Sequence, residues 1–240
     1  MSVAGLIRMG DNTLVLGQRL SEWCGHAPAL EEDIALANMA LDLIGQTQLW
    51  LGLAASREGA GRDADAMAYH RDAWDFRNLL LVEQPNRDFG VTMMRQFLFD
   101  CWHFEALKAL AAHPDAEISA IAQKSVKEVT YHRERSSDTV IALGDGTEES
   151  HARMQGALDR LWPYVGEMFS TDDDDLTDMA ALRPAFDAFT ETVFAQATLT
   201  RHDRDFAHMG GKTGTRHSEH LGHMLATMQV LPRSYPDATW

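Results

Sequence analysis

Between residues 31 and 57 the apolar side chains fall at Leu36, Met39, Ala40, Leu43, Ile44 and Leu51, with Thr47 in the same register. This is the three-and-four spacing of a helix with one buried face. At 1.5 Å per residue such a helix is about 40 Å long, and a stripe of that length needs other long helices to cover it. The rest of the chain supplies them. Segments 11–25, 64–80, 90–112, 116–143, 148–169, 183–209 and 216–230 carry apolar residues at helical spacing, and Gln84-Pro85-Asn86, His113-Pro114-Asp115 and Gly144-Asp145-Gly146 interrupt the pattern. Pro28 with the acidic run Glu31-Glu32-Asp33 marks one helix start, and Thr147 is placed to cap another. No segment alternates as a strand does, and no repeat of fixed period occurs. The expectation is an all-α chain: one domain over 1–240, with a bundle core at about 11–144 and additional C-terminal helices at about 148–230.

Charge narrows the function. The chain has 21 Lys and Arg against 36 Asp and Glu, a net −15, which excludes a nucleic-acid module and an anionic membrane surface as partners. No apolar run reaches the length of a membrane span, and the first residues lack the basic-then-apolar pattern of a secretion signal. Cys24 and Cys101 read as reduced thiols that pack rather than react, in a cytoplasmic protein.

A bundle rich in carboxylates, with 11 histidines, raises the question of a di-iron centre. That site takes a Glu from each of two helices and a Glu-x-x-His from each of two others, because a spacing of three places both donors on one face. Glu148–His151 is the sole such pair and sits in the first turn of a helix; Asp100–His103 and Asp205–His208 repeat the spacing with the shorter acid. Aligning the four long segments brings Glu22, Asp42, Asp100 and Glu128 to one level, with Gly45 and Tyr131 where the two imidazoles belong. The ligand set therefore reads as degenerate, with no intact metal site and no catalytic or cofactor-binding residue. The acids are expected in a polar cluster with Arg19, Gln46, His103 and His132. The run His217-Ser-Glu-His220-Leu-Gly-His223 spreads its imidazoles too widely for one zinc, and Gly210–Gly214 reads as a mobile connector.

The runs LGQRLSEWCGHAPALEEDIALANMALDLIGQTQLWLG (16–52), DFRNLLLVEQPNRDF (75–89), RQFLFDCWH (95–103), KEVTYH (127–132) and LGDGTEESHARMQGALDRLWPY (143–164) resemble the C subunits of bacterial phenylacetyl-CoA epoxidases, oxygenases of aerobic phenylacetate breakdown. The resemblance implies a ferritin-like four-helix bundle and a non-catalytic role beside the catalytic A subunit, with which the chain would pair. It places the di-iron centre in that partner, and FAD, iron–sulfur and NADPH in a reductase subunit. This chain would then meet phenylacetyl-CoA only through its partner, with Arg71, Arg77 and Arg87 as the local cations available. The first two long helices are the expected pairing surface, with Trp23, Trp50 and Trp74 as interface or core aromatics. The alternatives are an autonomous di-iron carboxylate enzyme using i, i+4 Glu/His pairs, and a ferritin-like storage protein.

Overall fold

A computed structural model describes residues 3–202, 206–236 and 238. Among the described residues ten α-helices follow one another: α1 (Val3–Ser21), α2 (Leu30–Glu58), α3 (Ala64–Tyr69), α4 (Leu80–Glu83), α5 (Phe89–Ala111), α6 (Ala116–Gly144), α7 (Glu148–Leu161), α8 (Arg183–Gln196), α9 (Glu219–Met228) and α10 (Val230–Ser234). There is no strand among the described residues. The chain gathers into two compact units, Met1–Gln84 with Gly210–Trp240, and Pro85–Met209.

In the first unit α1 and α2 form a pair held at close range by small residues. A Cβ at Gly10 would stand 2.5 Å from the Leu51 side chain, and one at Gly17 would stand 3.1 Å from Ile44. Between the two glycines the hydroxyls of Thr13 and Thr47 share a buried hydrogen bond of 2.8 Å. The Asp33 carboxylate accepts from the Gly25 amide at 2.7 Å, tying the α1–α2 turn to the start of α2. At the other end Gly59, at φ 68°, closes α2 in the left-handed conformation that glycine adopts without steric cost.

The first helix begins at Val3 rather than near residue 11, and the segment expected as one helix over 64–80 is broken into α3, a short turn at Ala73–Asp75 and α4. The physical reason is a set of buried polar groups on α1 that bind this segment's backbone. Asp11 pairs with the Arg71 guanidinium and accepts from the Arg77 amide at 2.8 Å. Asn12 accepts from the Leu79 amide at 2.8 Å. Amides used in this way are not available to a continuous helix.

The C-terminal segment is anchored in the same unit. Buried Glu83 accepts from Asn78 Nδ2 at 2.9 Å and from the Ser218 amide at 2.6 Å, and its carboxylate meets His217 Nδ1 at 2.5 Å. Arg19 donates to the carbonyls of Glu83 and His220. Gly210–Gly214 is packed, not a free connector: a Cβ at Gly211 would lie 2.4 Å from the Asn78 carbonyl oxygen, and Arg8 donates to the Lys212 carbonyl at 2.9 Å.

In the second unit α5 is apolar almost all round and is buried by α6, α7 and α8. Thr147 caps its helix as the sequence marks, and two further caps appear beside it. Asp88, Asp115 and Thr147 accept from the first free amides of α5, α6 and α7. His151, of the sole Glu-x-x-His, turns its Nδ1 to the Gly144 carbonyl at 2.8 Å. It closes the end of α6 and takes no part in a cluster of acids.

Candidate functional site: a buried polar cluster on α5 and α6

Helices α5 and α6 run antiparallel and face each other with fully buried polar side chains: Gln96, Asp100 and His103 on α5, His132 and Ser136 on α6. On α6 the buried positions Ile118, Ala122, Ser125, Val129, His132, Ser136 and Val140 follow one three-and-four stripe, so the polar members occupy what would otherwise be core. Asp100 uses both carboxylate oxygens, accepting from Gln96 Nε2 at 2.7 Å and from Ser136 Oγ at 2.9 Å. Burial pushes this carboxyl up to about 7, against the opposing pull of nearby His132 and of the two hydrogen bonds. His103 is pushed down to about 3, by burial first and by His132 second, so its ring is neutral. Its ring lies 5.0 Å from that of Phe99, and neither of its nitrogens has a hydrogen-bond partner among the described residues. At the edge of the cluster the Arg133 guanidinium lies 3.6 Å over the Phe104 ring and 4.3 Å over that of Phe189. Burial also raises the Cys101 thiol well above its ordinary range, which leaves it a packing group.

The expected site positions do not share one level of burial. Glu22 lies past the end of α1, exposed, and pairs with Arg19 at 2.7 Å. Asp42 and Glu128 are half-buried, and only Asp100 is enclosed. Gly45 and Tyr131 do not stand where inward imidazoles would: a Cβ at Gly45 meets open space, and Tyr131 is 50% exposed. Gly45 and Tyr131 therefore lie off the buried faces of their helices. No buried pair at a spacing of three on α2 or α6 carries a carboxylate, and Val129–His132 is the one such pair with an imidazole. The buried acid and imidazole at that spacing are Asp100 and His103, on α5. The signal was present in the stripe, since Leu36, Leu43 and Thr47 facing inward turn residues 42 and 45 away. Gln96 and Ser136, which hold Asp100, gave no motif to recognise. Asp205 lies outside the described residues.

The donor set does not fit a pair of irons. Among the described residues no three His, Cys, Asp or Glu side chains converge as a metal-holding group, and the enclosed carboxylate already serves two protein donors. Of the three tryptophans, Trp50 is fully buried core, Trp23 is half-buried and Trp74 is 64% exposed. Of the three cations, Arg71 is locked on Asp11 and Arg77 donates to the carbonyls of Trp74 and Phe76. Arg87 stands exposed at φ 53°.

An all-α chain whose long helices bury polar residues at three-residue spacing is a ferritin-like construction. The family model of phenylacetic acid catabolic proteins (PaaA_PaaC) matches residues 2–240, and the chain belongs to this family. Within it, the chain is similar to the C subunit of the 1,2-phenylacetyl-CoA epoxidase of Escherichia coli (strain K12), with 44% identity over 242 residues, covering 98% of this chain and 97% of that protein. No helix among the described residues is long and apolar enough to cross a membrane.

Proposed function

We propose that this chain is a non-catalytic partner subunit of a phenylacetyl-CoA epoxidase, which pairs with the di-iron catalytic chain and supports its binding of the thioester. One observation carries the reading: no buried pair at a spacing of three on α2 or α6 carries the carboxylate that a Glu-x-x-His site requires. The similarity to a C subunit supports it from an independent direction. On this reading the iron belongs to the partner, and FAD, the iron–sulfur cluster and NADPH belong to the reductase. The thioester is reached through the partner, and the complex works in the cytoplasm. The chain acts through its surface.

Metal analysis and reconstitution test this directly. The purified chain is expected to hold no stoichiometric iron, to show no turnover with reductase alone, and to co-elute at micromolar concentration with the catalytic partner. Two irons per chain with turnover in the absence of that partner would overturn the proposal in favour of an autonomous di-iron enzyme.

A further inference from the structure

Residues 210–234 lie as a strap over α1 and the stretch 68–83, held by side chains that reach distant backbone. Arg8 donates to the Lys212 carbonyl at 2.9 Å and Arg19 to the His220 carbonyl at 3.0 Å. Gln229 donates to the carbonyls of Ala68 and Arg71, and Arg233 to the latter at 2.8 Å. The last tie joins His217 to Glu83, with side chains 4% and 0% exposed. Beneath the strap α9 buries Leu221, Met224 and Leu225. Arginine and amide donors keep their protons across the working range of a protein. Of these ties, only the last rests on an imidazole.

Both nitrogens of that imidazole face oxygen acceptors. Nδ1 stands 2.5 Å from Glu83 Oε1, and Nε2 stands 3.2 Å from the Phe76 carbonyl oxygen. A neutral ring carries one N–H, so it can satisfy one acceptor and must turn a lone pair on the other. The closed pair therefore holds two protons, one on Nε2 and one in the short contact. The Glu83 carboxylate has neutral donors besides, the Asn78 amide at 2.9 Å and the Ser218 backbone amide at 2.6 Å. His217 is thus its sole source of compensating charge among the described residues, and an enclosed carboxylate without one is costly. From α1, Arg19 meets the Glu83 carbonyl rather than the carboxylate and is paired with Glu22. Arg77 donates to the same Phe76 carbonyl at 2.7 Å and opposes a positive ring, but the carboxylate is in direct contact and fully enclosed. Glu219 beside the ring is exposed and His220 is half-buried. The Trp74 ring lies 6.0 Å from that of His217.

We propose that His217 and Glu83 form a proton-operated clasp: two protons on the pair hold α9 down, and loss of one to solvent lets the strap lift. In the lifted strap the ring is in water, where it releases its second proton in the ordinary histidine range. Above that range the closed form holds one proton more than the open one. Closure is therefore complete in mild acid and weakens as pH rises, by up to about tenfold per pH unit.

Amide hydrogen exchange of the full chain tests the clasp, with protection of Glu219–Met228 corrected for the intrinsic rate at each pH. Glu148–Leu161, in the other compact unit, is the reference. In the wild type α9 should lose about tenfold or more of its protection between pH 6 and 9 while α7 keeps its own. Glu83→Gln donates to a neutral ring and needs no second proton, so its α9 protection should stay level over that range. His217→Gln should already exchange at pH 6 as fast as the wild type does at pH 9, and should not change further. Wild-type protection of α9 that is constant with pH, or that falls in step with α7, would overturn the clasp. So would a Glu83→Gln chain that opens with pH as the wild type does. If neither variant folds, the wild-type comparison of α9 with α7 decides alone.

Discussion

The cluster on α5 and α6 predicts an unusual pH dependence, because its two titrating groups are displaced in opposite senses. Asp100 moves from an ordinary 3.8 to about 7 on folding. Its contribution to stability is complete below 3.8 and is lost as pH rises through about 7. His103 moves from 6.5 to about 3. Its contribution is complete above 6.5 and is lost as pH falls toward 3. Each proton changes stability by about 1.4 kcal/mol per pH unit, so between pH 4 and 6.5 the slopes of these two groups cancel in the wild type. Removing either group exposes the other. Asp100→Asn keeps an acceptor for Gln96 and Ser136 but no longer titrates. Relative to the wild type it should gain about 4 kcal/mol on going from pH 4 to pH 7. His103→Leu should show the reverse, losing about 3 kcal/mol relative to the wild type between pH 4 and 6.5. The double variant should run parallel to the wild type between pH 4 and 6.5. Urea unfolding at half-unit pH steps measures all four proteins, and groups common to them cancel in the differences. A difference between the wild type and either single variant that stays constant from pH 4 to 6.5 would refute the argument.

Two further outcomes follow from the buried groups. Arg71→Met strands the fully enclosed Asp11 carboxylate and should cost about 3–5 kcal/mol in urea unfolding, with part of the loss recovered when Asp11→Leu is added. Cys24 is exposed and Cys101 is buried with its thiol raised, so a thiol reagent at pH 8 should modify one cysteine in the native chain and two only after unfolding, as counted by mass spectrometry.

Helix type and approximate length were legible for α2 and α6 because each presents a three-and-four stripe over many turns, and for α5 because a long apolar run lies between the breaks at Pro85 and Pro114. The absence of a Glu-x-x-His within the long helices was legible too, since spacing along one helix is a local property. So was the acidic balance that directs attention to protein partners. Tertiary structure decided the rest. Which residue of a polar pair turns inward depends on a rotation of 100° per residue. A frame drawn through Asp42–Gly45 and Glu128–Tyr131 therefore missed the buried face, on which packing placed Leu43, Gln46, Val129 and His132 instead. The broken segment after α3, the anchoring of Gly210–Gly214 and the capture of His217 by Glu83 all depend on pairs distant along the chain. No local pattern encodes such pairs, because their energy exists only after folding has brought the partners together.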